Sequence, residues 1–94
     1  MKFLLKFGLT EDDIKYIKSK YDKKIISCIL YKEENVIELI NYFKKLKFNI
    51  KSLLINRLDL FLIDYNIIKN KIDSYDKKQI IEILQNDISL LDNL

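Results

Sequence analysis

The sequence predicts an all-α protein of five to seven short helices in stacked pairs, either a short α-solenoid or a compact helical bundle. Three observations predict it. The 94 residues include no Pro and one Gly, so the turn chemistry of a hairpin-rich β protein is missing. Apolar residues recur at helical spacing along nearly the whole chain. Polar capping residues stand just ahead of those apolar stripes.

A short helix over 2–7 opens the chain. In "FGLTEDDIKYI" (7–17), Gly8 supplies a turn and Thr10 a cap, with Asp13 three residues on. Ile14, Ile17 and Tyr21 then fall at i, i+3 and i+7, which predicts a helix over 11–20. A helix over 23–31 contains "IISCIL", which also suits a short buried strand; helix is preferred because no turn residues flank it to make a sheet. Val36, Leu39, Ile40, Phe43 and Leu46 form a full stripe over 36–47, with Asn35 and Glu38 at capping-box spacing. Asn49 caps 50–56, which carries Ile50, Leu53 and Leu54. "LDLFLI" also suits a short buried strand, and a helical or 3₁₀ turn is preferred there for the same reason as at "IISCIL". Asp64 caps 65–74, with Tyr65, Ile68, Ile72 and Tyr75. Asp76 and Gln79 open a helix over 77–86 that carries Ile80, Ile83 and Leu84, and a last turn follows near 88–93.

One domain over 1–94 is expected, built of about two and a half repeats (1–26, 36–62 and 65–92). Setting 13–26 over 49–62 and 79–92 aligns Ile14 with Ile50 and Ile80, and Ile17 with Leu53 and Ile83. Val36, Leu39, Phe43 and Leu46 match Tyr65, Ile68, Ile72 and Tyr75. "FGLTEDDIKYIKSKY" resembles the helix-turn-helix joint of the mitochondrial transcription termination factor (mTERF) family, and "YFKKLKFNIKSLLINRLDLF" and "DKKQIIEILQNDISLL" look like further copies. The family's proline positions hold Tyr21, Arg57 and Asp87 here, and the second copy lacks the Gly and reads as a joint three residues shorter. The resemblance implies a curved all-α solenoid that binds nucleic acid through basic side chains on its concave face.

Charge narrows the function without naming it. The net charge is +3, with residues 1–63 at +5 and 64–94 at −2. Ile, Lys, Asn, Tyr and Phe, all with A/T-rich codons, make up 52 residues, so part of the lysine excess is compositional. Lys44, Lys45, Lys47, Lys51 and Arg57 form the densest basic stretch, uninterrupted by an acid until Asp59; they read either as a solvated lysine-rich helix face with Phe48 in the core or as the candidate nucleic-acid contacts, with Tyr42 and Phe48 among them to stack on bases. Lys15, Lys18, Lys20, Lys23 and Lys24 form a second basic group, read as a solvated face. Ile55, Leu58, Leu62 and Ile63, with Ile29 and Leu30, exceed what one small core needs and are the candidate partner surface.

Chemistry is sparse. There is no His, no Gly-rich phosphate loop and no zinc ligand set. Glu11, Asp12 and Asp13 are successive helical carboxylates pointing about 100° apart, so they serve a helix start rather than a metal. Cys28, the lone Cys, reads as a buried structural thiol. No catalytic residues, cofactor, metal or small-molecule substrate are expected, and the protein is expected not to be an enzyme. Without a membrane-spanning apolar run it is expected to be cytoplasmic, in the host cell if viral. The expected function is a small interaction protein, a regulator or inhibitor that binds a protein partner or itself, such as one from a virus, a mobile element or an A/T-rich bacterium. The alternative is a nucleic-acid-binding module of the mTERF kind, contacting phosphates of DNA or RNA.

Overall fold

The computed structural model describes residues 1–76 and 78. Among them are five α-helices, α1 (Glu11–Lys20), α2 (Lys23–Tyr31), α3 (Glu33–Lys45), α4 (Ile50–Asn56) and α5 (Tyr65–Asp73), two 3₁₀ helices (Lys2–Phe7 and Leu58–Leu62), and no strand. The protein is all-α, and "IISCIL" and "LDLFLI" are helical and 3₁₀ respectively. Met1–Leu62 form one compact unit and a second begins at Ile63. The helix expected over 77–86 and the turn near 88–93 lie outside the described residues, as does the third repeat copy.

Two joints set the geometry of the first unit. At Gly8 the chain leaves the first 3₁₀ helix in the left-handed region, with φ 91°. A Cβ there would meet nothing within 4 Å, so the need for glycine is one of backbone conformation alone. Leu9 is then buried, and Thr10 caps α1. The Thr10 hydroxyl accepts from Asp13 N–H at 3.1 Å while Asp13 Oδ2 accepts from Thr10 N–H at 2.9 Å, a complete capping box. The second joint repeats the plan with other residues. Lys47 takes the left-handed position, with φ 68°. Lys47 N–H donates to Lys44 O and Phe48 N–H to Phe43 O, each at 3.0 Å, the paired bonds of a Schellman motif. Phe48 is buried, and Asn49 caps α4 by accepting from Ser52 N–H at 3.1 Å. So "FGLT" (7–10) and "LKFN" (46–49) occupy the same four roles: helix end, left-handed residue, buried apolar anchor and cap.

That correspondence corrects the sequence reading of a shortened second joint. The joints are equally long, and the three-residue difference falls in the helices, ten residues in α1 and seven in α4. Both helices still end alike. Tyr21 and Arg57 are their C-caps, donating to Ile17 O and Leu53 O at 3.0 and 2.7 Å, and Ile17 and Leu53 are both buried. Past this point the stretches diverge: Lys24 is exposed, whereas Leu60, its aligned partner, is buried.

The core of the first unit centres on Phe43. Its ring meets Phe48 edge-on at 5.2 Å between centroids and Phe61 at 5.7 Å. Such aromatic pairs add about 0.5–1.5 kcal/mol each beyond area burial. The second 3₁₀ helix is inserted against α2, α3 and α4 and contributes Leu58, Leu60 and Phe61, all buried. Its last carbonyls are satisfied from α3 and the residue before it: Asn35 Nδ2 donates to Phe61 O at 3.3 Å and Lys32 Nζ to Leu62 O at 3.1 Å. α3 does not begin with the Asn35–Glu38 capping box that the spacing suggested. The helix starts at Glu33 directly after α2, Lys32 is the only hinge, and Asn35 already lies inside, its amide committed elsewhere. Glu33 and Glu34 fall in the first turn, where the macrodipole favours them.

In the second unit, α5 is capped by Asp64, which accepts from Asn66 N–H at 2.9 Å. Ile68 and Ile72 are buried, as are the residues aligned with them in α3, Leu39 and Phe43.

Candidate functional site

The five residues expected to contact nucleic acid are placed unequally. Lys44 and Lys45 end α3 and Lys47 sits in the joint, all three exposed. Lys51 pairs with Asp13 at 3.3 Å, tying α4 to the first turn of α1. The Thr10 backbone N–H first, and the Thr10 hydroxyl and Lys51 after it, hold the Asp13 carboxyl below the usual carboxylate range. Arg57 is half-buried and lays its guanidinium against Asp59, Nε on Oδ1 and Nη2 on Oδ2, both at 3.3 Å. Two of the five cations are thus already engaged with carboxylates. The stacking partners are not free either. Phe48 is buried, and Tyr42 is half-buried with its ring 6.1 Å from that of Phe43.

The expected partner surface also needs correction. Leu58 is 0% exposed and packs in the core, so it offers nothing to a partner. Ile55, Leu62 and Ile63 are half-buried. Ile55 lies where α1 is fastened to α4: Tyr21 Oη donates to its carbonyl at 2.8 Å, Lys20 Nζ donates to the same oxygen at 3.2 Å, and Leu58 N–H donates back to Tyr21 Oη at 3.2 Å. Tyr21 therefore satisfies a carbonyl at the end of α4 and the entry to the second 3₁₀ helix with one hydroxyl. Ile29 is buried, whereas Leu30 and Tyr31 at the end of α2 are exposed, Tyr31 by 91%. Leu5 and Tyr16 are the other large exposed apolar side chains of this unit. Cys28 is exposed, not buried as expected, because α2 turns its Ile29 side to the core and leaves Ser27 and Cys28 outside. The periodicity of α2 alone does not decide this, since apolar residues occupy positions all round the helix.

No helix among the described residues is long and apolar enough to cross a membrane. No family model matches the chain, and no solved structure matches it. Curated proteins do. The serine-protein kinases RsbW of Staphylococcus aureus strains RF122 / ET3-1 and MRSA252 are each 36% identical to it over 81 residues, covering 83% of this chain and 50% of theirs. The chain thus spans about half the length of the curated relatives it matches. The sequence-based expectation that the protein is not an enzyme is corrected by this finding, because the proteins it resembles over most of its length are kinases by name. The expectation of a regulator that engages protein agrees with it in outline, since a serine-protein kinase acts on protein.

Proposed function

We propose that this chain is a protein-binding regulatory module, working in the manner of part of a serine-protein kinase of the RsbW kind. A protein kinase must hold its protein and transfer a phosphoryl group, and the proposal concerns the first of these tasks. The observation that carries it is the similarity to RsbW across most of the chain. The exposed pair Leu30–Tyr31 supports it. Tyr is enriched at interfaces because it combines a large apolar ring with a polar tip and few rotatable bonds. A Tyr 91% exposed beside an exposed Leu gains little from the fold it belongs to and much from a partner.

The test is photo-crosslinking in the source cell, with a photoreactive amino acid in place of Tyr31. The expected result is a discrete adduct that survives nuclease and is digested by protease. Absence of a protein adduct, with the variant expressed and folded, would contradict the proposal.

The exposed Lys44, Lys45 and Lys47 favour a second reading, phosphate contacts to nucleic acid, which goes with the resemblance to mTERF repeats. The likeness of the two joints supports the repeat part of that reading. The charge part has thinner support. Lys51 and Arg57 already pair with carboxylates, and Lys44 and Lys45 lie where the negative end of the α3 dipole favours cations without any ligand.

A further inference from the structure

A groove of about 220 Å³ lies between the first 3₁₀ helix and α1. Its floor is aliphatic, made by Leu5 and Ile14, and its rim is basic, made by Lys2, Lys15 and Lys18, with Glu11 the single carboxylate. The sequence produces this arrangement in two short steps. In the 3₁₀ helix, Lys2 and Leu5 are three apart and share a side. In α1, Glu11, Ile14, Lys15 and Lys18 follow the i, i+3, i+4, i+7 rule and share a face. Leu5 is 40% exposed, although Leu4 beside it is fully buried, so the apolar floor is open to solvent. The Met1 amine also lines this edge, and burial first, then the charge of Lys18, holds its pKa below the ordinary amine range.

We propose that this groove receives an acidic, amphipathic segment of the protein partner, one bulky aliphatic side chain seated on Leu5 and Ile14 and flanking carboxylates paired with Lys2, Lys15 and Lys18. The proposal rests on the protein-binding reading above and names the partner's chemistry. Three features select this occupant. The volume falls below the roughly 300–1,000 Å³ of sites that take drug-sized ligands and suits one large side chain. The rim is positive, so an acidic segment is steered to it and a basic one is repelled. No aromatic ring lines the groove, so a nucleic acid finds charge there but no platform for its bases.

Fluorescence anisotropy with defined probes tests this. The probes are a labelled 13-residue peptide with a central Leu flanked by Glu on both sides, the same peptide with Leu→Ser, the same with every Glu→Lys, and a labelled single-stranded oligonucleotide. The first peptide is expected to bind the full chain, to weaken about tenfold when Lys15→Glu and Lys18→Glu are combined, and to weaken with added salt. The serine peptide is expected to bind several-fold more weakly and the lysine peptide not at all. Both substitutions are at exposed positions, and circular dichroism confirms that the variant is folded. Binding of the first peptide that ignores the double substitution, or an oligonucleotide that binds more tightly than it, overturns the proposal. The crosslink from position 31 separates the two levels. A protein adduct formed in undiminished yield by the Lys15→Glu, Lys18→Glu variant overturns the groove and leaves the protein-binding reading standing. No protein adduct from the parent chain overturns both.

Discussion

The joint at 7–10 and the joint at 46–49 solve one geometric problem with different residues. Each ends a helix, turns the chain through a left-handed residue, buries an apolar anchor and restarts with a cap that accepts the N–H three residues on. The first uses the only glycine of the chain for the turn. The second uses Lys47, and what holds a lysine there is the pair of Schellman hydrogen bonds and the edge-on packing of Phe48 on Phe43. The comparison teaches that the turn is specified by its surroundings as much as by its own residue. A strong local signal suffices where packing is modest. A weak one is carried where the anchor is an aromatic in the core.

If that is right, the anchors matter most. Phe48→Ala is expected to cost about 3–5 kcal/mol and Leu9→Ala about 2–3, measured by urea denaturation followed by circular dichroism. Equal and small losses at both would break the comparison, because the second joint would then not depend on its aromatic anchor. The turn residues come next, and here the signs are opposite. Gly8→Ala is expected to lose about 1 kcal/mol, since an L-residue is forced into the left-handed region, and Lys47→Gly to gain about 0.5–1 for the same reason. The caps follow: Thr10→Ala and Asn49→Ala should each cost about 1 kcal/mol. The smallest effect is on acidification. The Asp13 carboxyl is held below its ordinary range in the folded state, so its contribution is present at neutral pH and is lost as the pH falls through the carboxylate range. Thr10→Ala removes one of the groups holding it, and a carbon-detected titration should show the Asp13 midpoint moving upward in that variant.

Much of the scaffold was legible because its signals are local. The α1 and α4 boundaries follow from caps and periodicity, and the Thr10–Asp13 box forms as spelled. The start of α3 was missed because capping-box spacing at Asn35–Glu38 is a local pattern, while the hydrogen bond from Asn35 to Phe61 O spans 26 residues. The candidate surfaces were less legible for the same reason. A run such as "IISCIL" does not say which side meets the core, so Cys28 was placed inside and Leu58 outside, the reverse of what packing does. Lys51 and Arg57 looked like free cations because their carboxylates, Asp13 and Asp59, were read only as a cap and as the end of the basic run. The lysine-rimmed groove passed unnoticed, although the i, i+3, i+4, i+7 spacing of Glu11, Ile14, Lys15 and Lys18 was there to be read. What was lacking was the return of Leu5 over that face.

We propose that a protein, and not nucleic acid, is what this molecule holds, and that the exposed end of α2 rather than the lysines of the second joint meets it. The most direct measurement is the crosslink from position 31 made with Lys44, Lys45 and Lys47 all changed to Glu, read beside the same crosslink in the parent chain. The same nuclease-resistant protein adduct, in the same yield, is expected from both. Loss of that adduct in the folded triple variant, with nuclease-sensitive adducts in the parent, would contradict the proposal.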